Sequence, residues 1–215
     1  RLGPRRCLPP SVAVADQSAL LELVELFARL RRECNWKAAQ THESLTRYLI
    51  EEAYETLEAI ESGDRELLRE ELGDLLLQVY FHATIAEQAG DFTMEDIAVG
   101  LRDKLIRRNP HVFADDGPSA STPAEIDAVW QAVKAQEKRR THPMEGVAAD
   151  LPALLYADKA LARLAREGID VTPDPNSEDL GERLLALVAE AHAADADPEQ
   201  ALRGAVHRLV SLVDQ

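Results

Sequence analysis

The sequence predicts an all-α fold, a helical bundle in which short loops join amphipathic helices. Apolar residues recur three and four positions apart over long segments, which places them on one face of a helix. Glycine, proline and capping residues end this spacing at several points along the chain. The 215 residues are enough for a buried core, and 46% hydrophobic with 29% charged residues is typical of a globular protein.

The first predicted helix runs from about Asp16, a capping residue, to Cys34. Two longer helices are predicted at about 42–62 and 64–88 from their apolar spacing. Ser62-Gly63-Asp64 separates them, because glycine tolerates the left-handed backbone that ends a helix and aspartate caps the next one. So short a loop makes the two helices an antiparallel hairpin.

A fourth helix is predicted at about 94–108, capped by Thr93 or Asp91. Asn109-Pro110 ends it, since proline pushes the preceding residue out of the helical conformation. After a polar loop, a fifth helix is predicted at 123–140.

Acidic residues are concentrated in the hairpin. Residues 51–74 include ten acidic and only two basic side chains. Glu52 and Glu55 share one helical face, and Glu71 and Asp74 repeat that spacing on the next helix. Four carboxylates from two facing helices suit Mg²⁺ or Mn²⁺. A solvated helix face is the alternative for either pair alone, and the repeat favours a metal site.

The formal charge of −15, from 24 basic and 39 acidic residues, argues against general binding to nucleic acid or to an anionic membrane. Lys104 and Arg108, with Arg107 in the same turn, are candidates for a phosphate clamp. The alternative is that these cations only complement the dipole of their helix. Trp130 and Lys134 offer a ring and an ammonium group to a nucleotide, although a tryptophan there also suits a helical core.

Two cysteines, Cys7 and Cys34, are too few for a disulfide framework and lack CxxC spacing, so a reducing cytoplasm is the expected compartment. Residues 1–14 lack the apolar core of a signal peptide. Residues 1–15 contain prolines and show no periodicity, so they are predicted to be a tail or linker.

These segments together resemble the MazG-type nucleoside triphosphate pyrophosphohydrolases of the all-α NTP pyrophosphatase superfamily. The resemblance extends from about Leu26 to Arg140, with several motifs in the family's order. The motifs are Cys34-Asn35-Trp36 followed by Gln40-Thr41-His42, the EExxE motif at 51–55, the ELGD motif at 71–74, the segment Lys104 to Phe113, and Trp130 with Lys134.

The resemblance implies a helical bundle that forms a homodimer and holds Mg²⁺, or Mn²⁺, in its acidic motifs. The implied metal ligands are Glu52, Glu55, Glu71 and Asp74. Glu51 is implied as a further ligand or as a residue that orients one. Glu51 or Glu55 is the expected general base.

The implied reaction is hydrolysis of an NTP or dNTP between the α- and β-phosphates, giving a nucleoside monophosphate and pyrophosphate and removing noncanonical or excess nucleotides. By the same resemblance, Lys104 and Arg108 contact the triphosphate, with Arg107 beside them. Trp130 stacks on the base, and Lys134 lies nearby.

The family pattern assigns residues 16–140 to the catalytic domain and 141–215 to a degenerate second helical unit, with an unrelated helical tail as the alternative. In that unit Leu202 and Ala205 replace acidic residues of the ELGD motif. Asn35 stands where the family commonly has a proline. Because the four implied metal ligands are intact, this difference affects the expected substrate contacts more than metal binding.

Two other functions agree with the same residues. The chain is then a non-catalytic helical interaction module with a structural divalent-ion site, or it has the same fold with a narrower substrate such as dUTP, dCTP or phosphoribosyl-ATP. The segment from Lys104 to Phe113 and Trp130 favour the broader MazG type.

Overall fold

A computed structural model describes residues 17–115, 117–137 and 141–213, and the predicted tail at 1–15 lies outside them. All regular secondary structure in the described residues is α-helical, which confirms the predicted fold class. None of these helices has the length and hydrophobicity needed to cross a bilayer. The helices are α1 (Gln17–Glu33), α2 (Asn35–Ala38), α3 (His42–Ser62), α4 (Arg65–Ala89), α5 (Met94–Arg108), α6 (Pro110–Phe113), α7 (Pro123–Glu137), α8 (Ala153–Arg166), α9 (Leu180–Ala193) and α10 (Pro198–Val210).

The chain divides between Val129 and Trp130 into two compact units. The N-terminal unit contains α1 to α6 and the first part of α7. The C-terminal unit contains the rest of α7 and helices α8 to α10. The domain assignment made from the sequence, 16–140 and 141–215, stays a prediction.

The α3–α4 hairpin forms where it was predicted, and local hydrogen bonds define both of its ends. Thr41 and Ser44 make a complete capping box, in which each side-chain oxygen accepts the other residue's backbone N–H. Gly63 ends α3 with a left-handed φ of 71°. Asp64 then caps α4 by accepting two backbone N–H groups of its first turn.

The core of the N-terminal unit forms where α1 and α3 pack against α4. Phe27, Leu45, Tyr80 and Phe81 are each at most 4% exposed. Phe27 stacks on Tyr80 at a centroid distance of 5.8 Å and meets Phe81 edge to face. The Tyr80 hydroxyl donates to the Leu20 carbonyl at 2.8 Å, so the one polar group of this cluster is satisfied.

Helix α5 begins after Thr93, which was one of its two predicted caps, the other being Asp91. Thr93 and Asp96 form a capping box there. Asn109 ends α5, as predicted, but Pro110 then starts the one-turn helix α6, which the sequence analysis missed. Proline suits the first turn of a helix because its missing N–H has no helical partner to lose.

The C-terminal unit is a small bundle in which α8 packs against α9 and α10. Asp179 caps α9 and Asp197 caps α10, each by accepting two backbone N–H groups. Leu161, Val188 and Pro198 are buried between these helices.

Candidate metal centre

The hairpin brings three acidic side chains together. Glu52 and Glu55 from α3 and Glu71 from α4 each present a carboxylate oxygen, and these atoms lie within 4.8 Å of one another. The i, i+3 spacing places the first two on one face of α3. The antiparallel turn at Gly63 places Glu71 opposite them, because Glu55 and Glu71 are equally distant from it along the chain.

A buried hydroxyl joins the two helices at this level. Thr56 is only 8% exposed, and its Oγ1 donates to the Glu52 carbonyl at 2.8 Å. The same hydroxyl is 3.5 Å from the Glu71 carbonyl on α4. Ala59, fully buried one turn later, leaves room for close approach of the helix backbones. The carboxylates are therefore held on a packed helix pair.

Two carboxyl groups of the cluster have raised pKa values. Partial burial raises the pKa of Glu52, as do the charges of Asp74 and Glu55 and a hydrogen bond with Glu55. Partial burial also raises the pKa of Glu71, followed by the charges of Glu55 and Asp74. The charge of Asp74 therefore acts on Glu52 of α3 and on Glu71 of α4. A divalent cation would relieve this repulsion.

The donor set fits a hard divalent cation. Carboxylate oxygens are the ligands that Mg²⁺ and Mn²⁺ prefer, and a cation needs several within a short distance of one another. Glu52, Glu55 and Glu71 meet that condition, and Asp74 adds its charge. The arrangement can hold a cation and present it to an anionic substrate.

Comparison with known proteins identifies the family. The model of the MazG nucleotide pyrophosphohydrolase domain matches residues 40–113, which contain α3 to α6 and all four predicted ligands. A Thermotoga maritima protein named nucleoside triphosphate pyrophosphohydrolase/pyrophosphatase MazG is 37% identical, over 88% of this chain and 82% of the relative. The chain belongs to the MazG family. The predicted resemblance and enzyme class, a nucleoside triphosphate pyrophosphohydrolase, are thereby confirmed.

Two further relatives extend the match. A Streptomyces cacaoi protein, described as an uncharacterized 26.1 kDa protein in the blaB 3' region, is 48% identical over 87% of this chain and 78% of the relative. The nucleoside triphosphate pyrophosphohydrolase of Escherichia coli K12 is 38% identical over 81% of this chain and 68% of the relative. These matches extend well beyond the residues of the MazG domain model.

The remaining predicted site residues lie on three helices. Glu51 is exposed on α3, one residue before the cluster. On α5, Lys104 is half-buried, Arg107 is exposed, and Arg108 is buried with 9% of its surface exposed. The two on α7, Trp130 and Lys134, are half-buried and belong to the C-terminal unit. The roles of all predicted site residues stay predictions.

The structure adds a histidine pair that the sequence analysis did not single out. His42 begins α3, inside the MazG motif Gln40-Thr41-His42, and its ring stacks on that of His82 from α4 at 5.0 Å between centroids. Their Nδ1 atoms are 2.7 Å apart, so one ring must donate and the other accept. Burial and the charge of His42 lower the pKa of His82, which favours the neutral form of the His82 ring. The sequence did contain a signal for this pair, because His42 and His82 lie at similar distances from Gly63 on the two sides of the hairpin.

Proposed function

We propose that this chain hydrolyses NTPs or dNTPs between the α- and β-phosphates, releasing a nucleoside monophosphate and pyrophosphate, and so removes noncanonical or excess nucleotides. The observation that carries the proposal is the carboxylate cluster of Glu52, Glu55 and Glu71 inside the residues that the family model matches. The names of the Thermotoga and E. coli relatives, both nucleoside triphosphate pyrophosphohydrolases, support the same reaction.

Charge explains why this reaction needs a cation. A nucleoside triphosphate carries about four negative charges near neutral pH, and an acidic cluster without metal repels it. Glu52, Glu55, Glu71 and Asp74 would hold Mg²⁺, or Mn²⁺. The bound cation would polarise the α-phosphoryl group and neutralise charge on the departing pyrophosphate.

The chain's own side chains supply the proton transfer and the rest of the charge balance. Glu51 or Glu55 accepts the proton of the attacking water, since a carboxylate at this position can act as a general base. Lys104, Arg107 and Arg108 bind the triphosphate oxygens through charge-assisted hydrogen bonds.

Two residues of α7 complete the assignment of substrate contacts. Trp130 provides a ring for stacking on the base. Lys134, one helical turn later, provides an ammonium group for the substrate's negative charge.

Pyrophosphate release from a panel of eight common NTPs and dNTPs tests the proposal. With Mg²⁺ or Mn²⁺, the wild-type protein should release pyrophosphate from several members, and release should stop in excess EDTA because the cation is removed. Release restricted to dUTP or dCTP would favour the narrower substrate class. No release from any member would contradict the enzyme proposal and favour the interaction module.

We also propose a homodimer. Ten of the large apolar side chains on α3 to α6 are between 39% and 63% exposed, which leaves a surface that a second copy would cover. These side chains are Leu49, Ile50, Tyr54, Ile60, Leu72, Leu101, Leu105, Ile106, Val112 and Phe113. Light scattering at micromolar concentration should give the dimer mass, and a monomer would contradict the proposal.

The proposed enzyme is cytoplasmic and binds neither nucleic acid nor a membrane. Its formal charge of −15 opposes contact with polyanionic surfaces. Cys34 is a free thiol, in keeping with a reducing compartment.

A further inference from the structure

The C-terminal unit contains an open cleft of about 550 Å³ within residues 130–215. Its walls come from α7, the segment 146–151, helix α8 and the turn between α9 and α10. The volume lies in the range of about 300–1,000 Å³ that is common for small-molecule sites. The cleft shares no residue with the carboxylate cluster of α3 and α4, while Lys134, proposed above as a substrate contact, lies on its α7 wall.

One wall of the cleft is basic. Lys159, Arg163 and Arg166 follow each other at i, i+4 and i+7, so they lie along one face of α8. Ala162, on the same face, leaves space between their long side chains. Arg163 is half-buried and donates to the Pro143 carbonyl at 3.3 Å, which anchors the centre of the row.

The two outer cations of this row are available to a ligand. Lys159 and Arg166 are both exposed, and neither makes a hydrogen bond or an ion pair with any part of the chain that the structure describes. In a chain with a formal charge of −15, such a row of cations facing a concave surface is unusual.

Within the described residues, no acidic side chain of the cleft forms an ion pair with Lys159 or Arg166. Asp158 is bonded to His192, with the carboxylate oxygen 2.8 Å from Nδ1. Asp197 accepts the backbone N–H groups that begin α10. Asp195 is exposed and has a left-handed φ of 55°, at the turn where α9 ends. Two of the three carboxylates are therefore already used within the unit.

We propose that this cleft binds the polyphosphate group of a nucleotide-sized ligand without a metal ion. Lys159 and Arg166 bind the phosphate oxygens, because ammonium and guanidinium groups form charge-assisted hydrogen bonds with them. Arg163, anchored between them, adds its positive charge. Asp195 is placed to accept hydrogen bonds from hydroxyl groups of the same ligand. The C-terminal unit then contributes binding through cations, where the N-terminal unit uses carboxylates.

Calorimetric titration of the whole chain with ATP in EDTA tests the proposal. Without metal the carboxylate cluster repels ATP, and the charge-reversal variants show whether saturable binding occurs in the basic cleft. Arg166→Glu should weaken ATP binding by about tenfold or more, since it removes a charge-assisted contact and adds repulsion. Lys159→Glu should act in the same direction. Both side chains are exposed, so each variant should keep the wild-type melting temperature within a few degrees.

Arg183→Glu is the matched control. Arg183 is exposed on α9, outside the cleft, and the substitution changes the net charge by the same amount. It should leave ATP binding within about twofold of wild type, because a distant exposed charge is screened by salt. Equal weakening by Arg183→Glu and Arg166→Glu would overturn the proposal, as would the absence of ATP binding in EDTA at millimolar concentration.

Glu71→Gln separates the cleft from the candidate metal centre. Binding of ATP in EDTA should persist in this variant, and its loss would overturn the proposal. The result is also independent of the proposed function. Pyrophosphate release is measured with Mg²⁺ and can fail while binding in EDTA succeeds, or succeed while that binding fails.

Discussion

Glu55→Gln should lower metal-dependent pyrophosphate release by about a thousandfold or more while the helical fold survives. The amide keeps the size of the side chain but removes the charge that a divalent cation requires, and it cannot accept the proton of water. Asp74→Asn should act in the same direction through loss of its charge beside Glu52 and Glu71. Pyrophosphate release, with circular dichroism for the fold, measures both effects.

Glu87→Gln is the control for these variants. Glu87 is exposed near the end of α4, on the same helix as Asp74, and undergoes the same change of carboxylate to amide as Glu55. Its activity should match wild type. If Glu55→Gln also retained activity within tenfold of wild type while Mg²⁺ remained necessary, the cluster would not be the catalytic metal centre. In a separate experiment, the pH dependence of pyrophosphate release is compared between Glu51→Gln and Glu55→Gln, which distinguishes the two candidates for the general base.

Glu71→Gln should raise the melting temperature of the metal-free protein by a few degrees and abolish most of its stabilisation by Mg²⁺. In the folded, metal-free chain the pKa values of Glu52 and Glu71 are raised by partial burial and by neighbouring carboxylates. Neutralising one member relieves that repulsion. In the wild type, Mg²⁺ at a hundred times its Kd should stabilise the fold by about 2.7 kcal/mol. Thermal melting in EDTA and in Mg²⁺ measures both effects.

The pH dependence of the metal-free protein follows from the same shifts. A carboxyl whose pKa is raised on folding binds more protons in the folded state than in the unfolded state. Stability in EDTA should therefore fall as the pH rises from the ordinary glutamate value of 4.5 through the raised values of Glu52 and Glu71. Glu71→Gln should flatten this slope. An unchanged slope, together with an unchanged response to Mg²⁺, would contradict a charge-strained metal site at this hairpin.

Local chemistry made the main helices predictable. Apolar spacing and caps depend on residues close in sequence, so α3 was predicted at 42–62 and α5 at 94–108. The short turn at Gly63 and the repeated i, i+3 spacing also predicted that acidic residues of the two helices meet, and Glu52, Glu55 and Glu71 lie together there. The one-turn helices α2 and α6 were missed, since four residues are too few to show a period.

The sequence by itself therefore determined the helical class, the hairpin, and the meeting of Glu52 and Glu55 with Glu71. Tertiary packing alone decided how those groups behave. The bond of Thr56 across the helix pair and the raised carboxylate pKa values depend on burial and on distances between helices. The basic cleft of the C-terminal unit depends on α8 facing the turn between α9 and α10. Helical spacing places residues on one face but does not specify what that face meets.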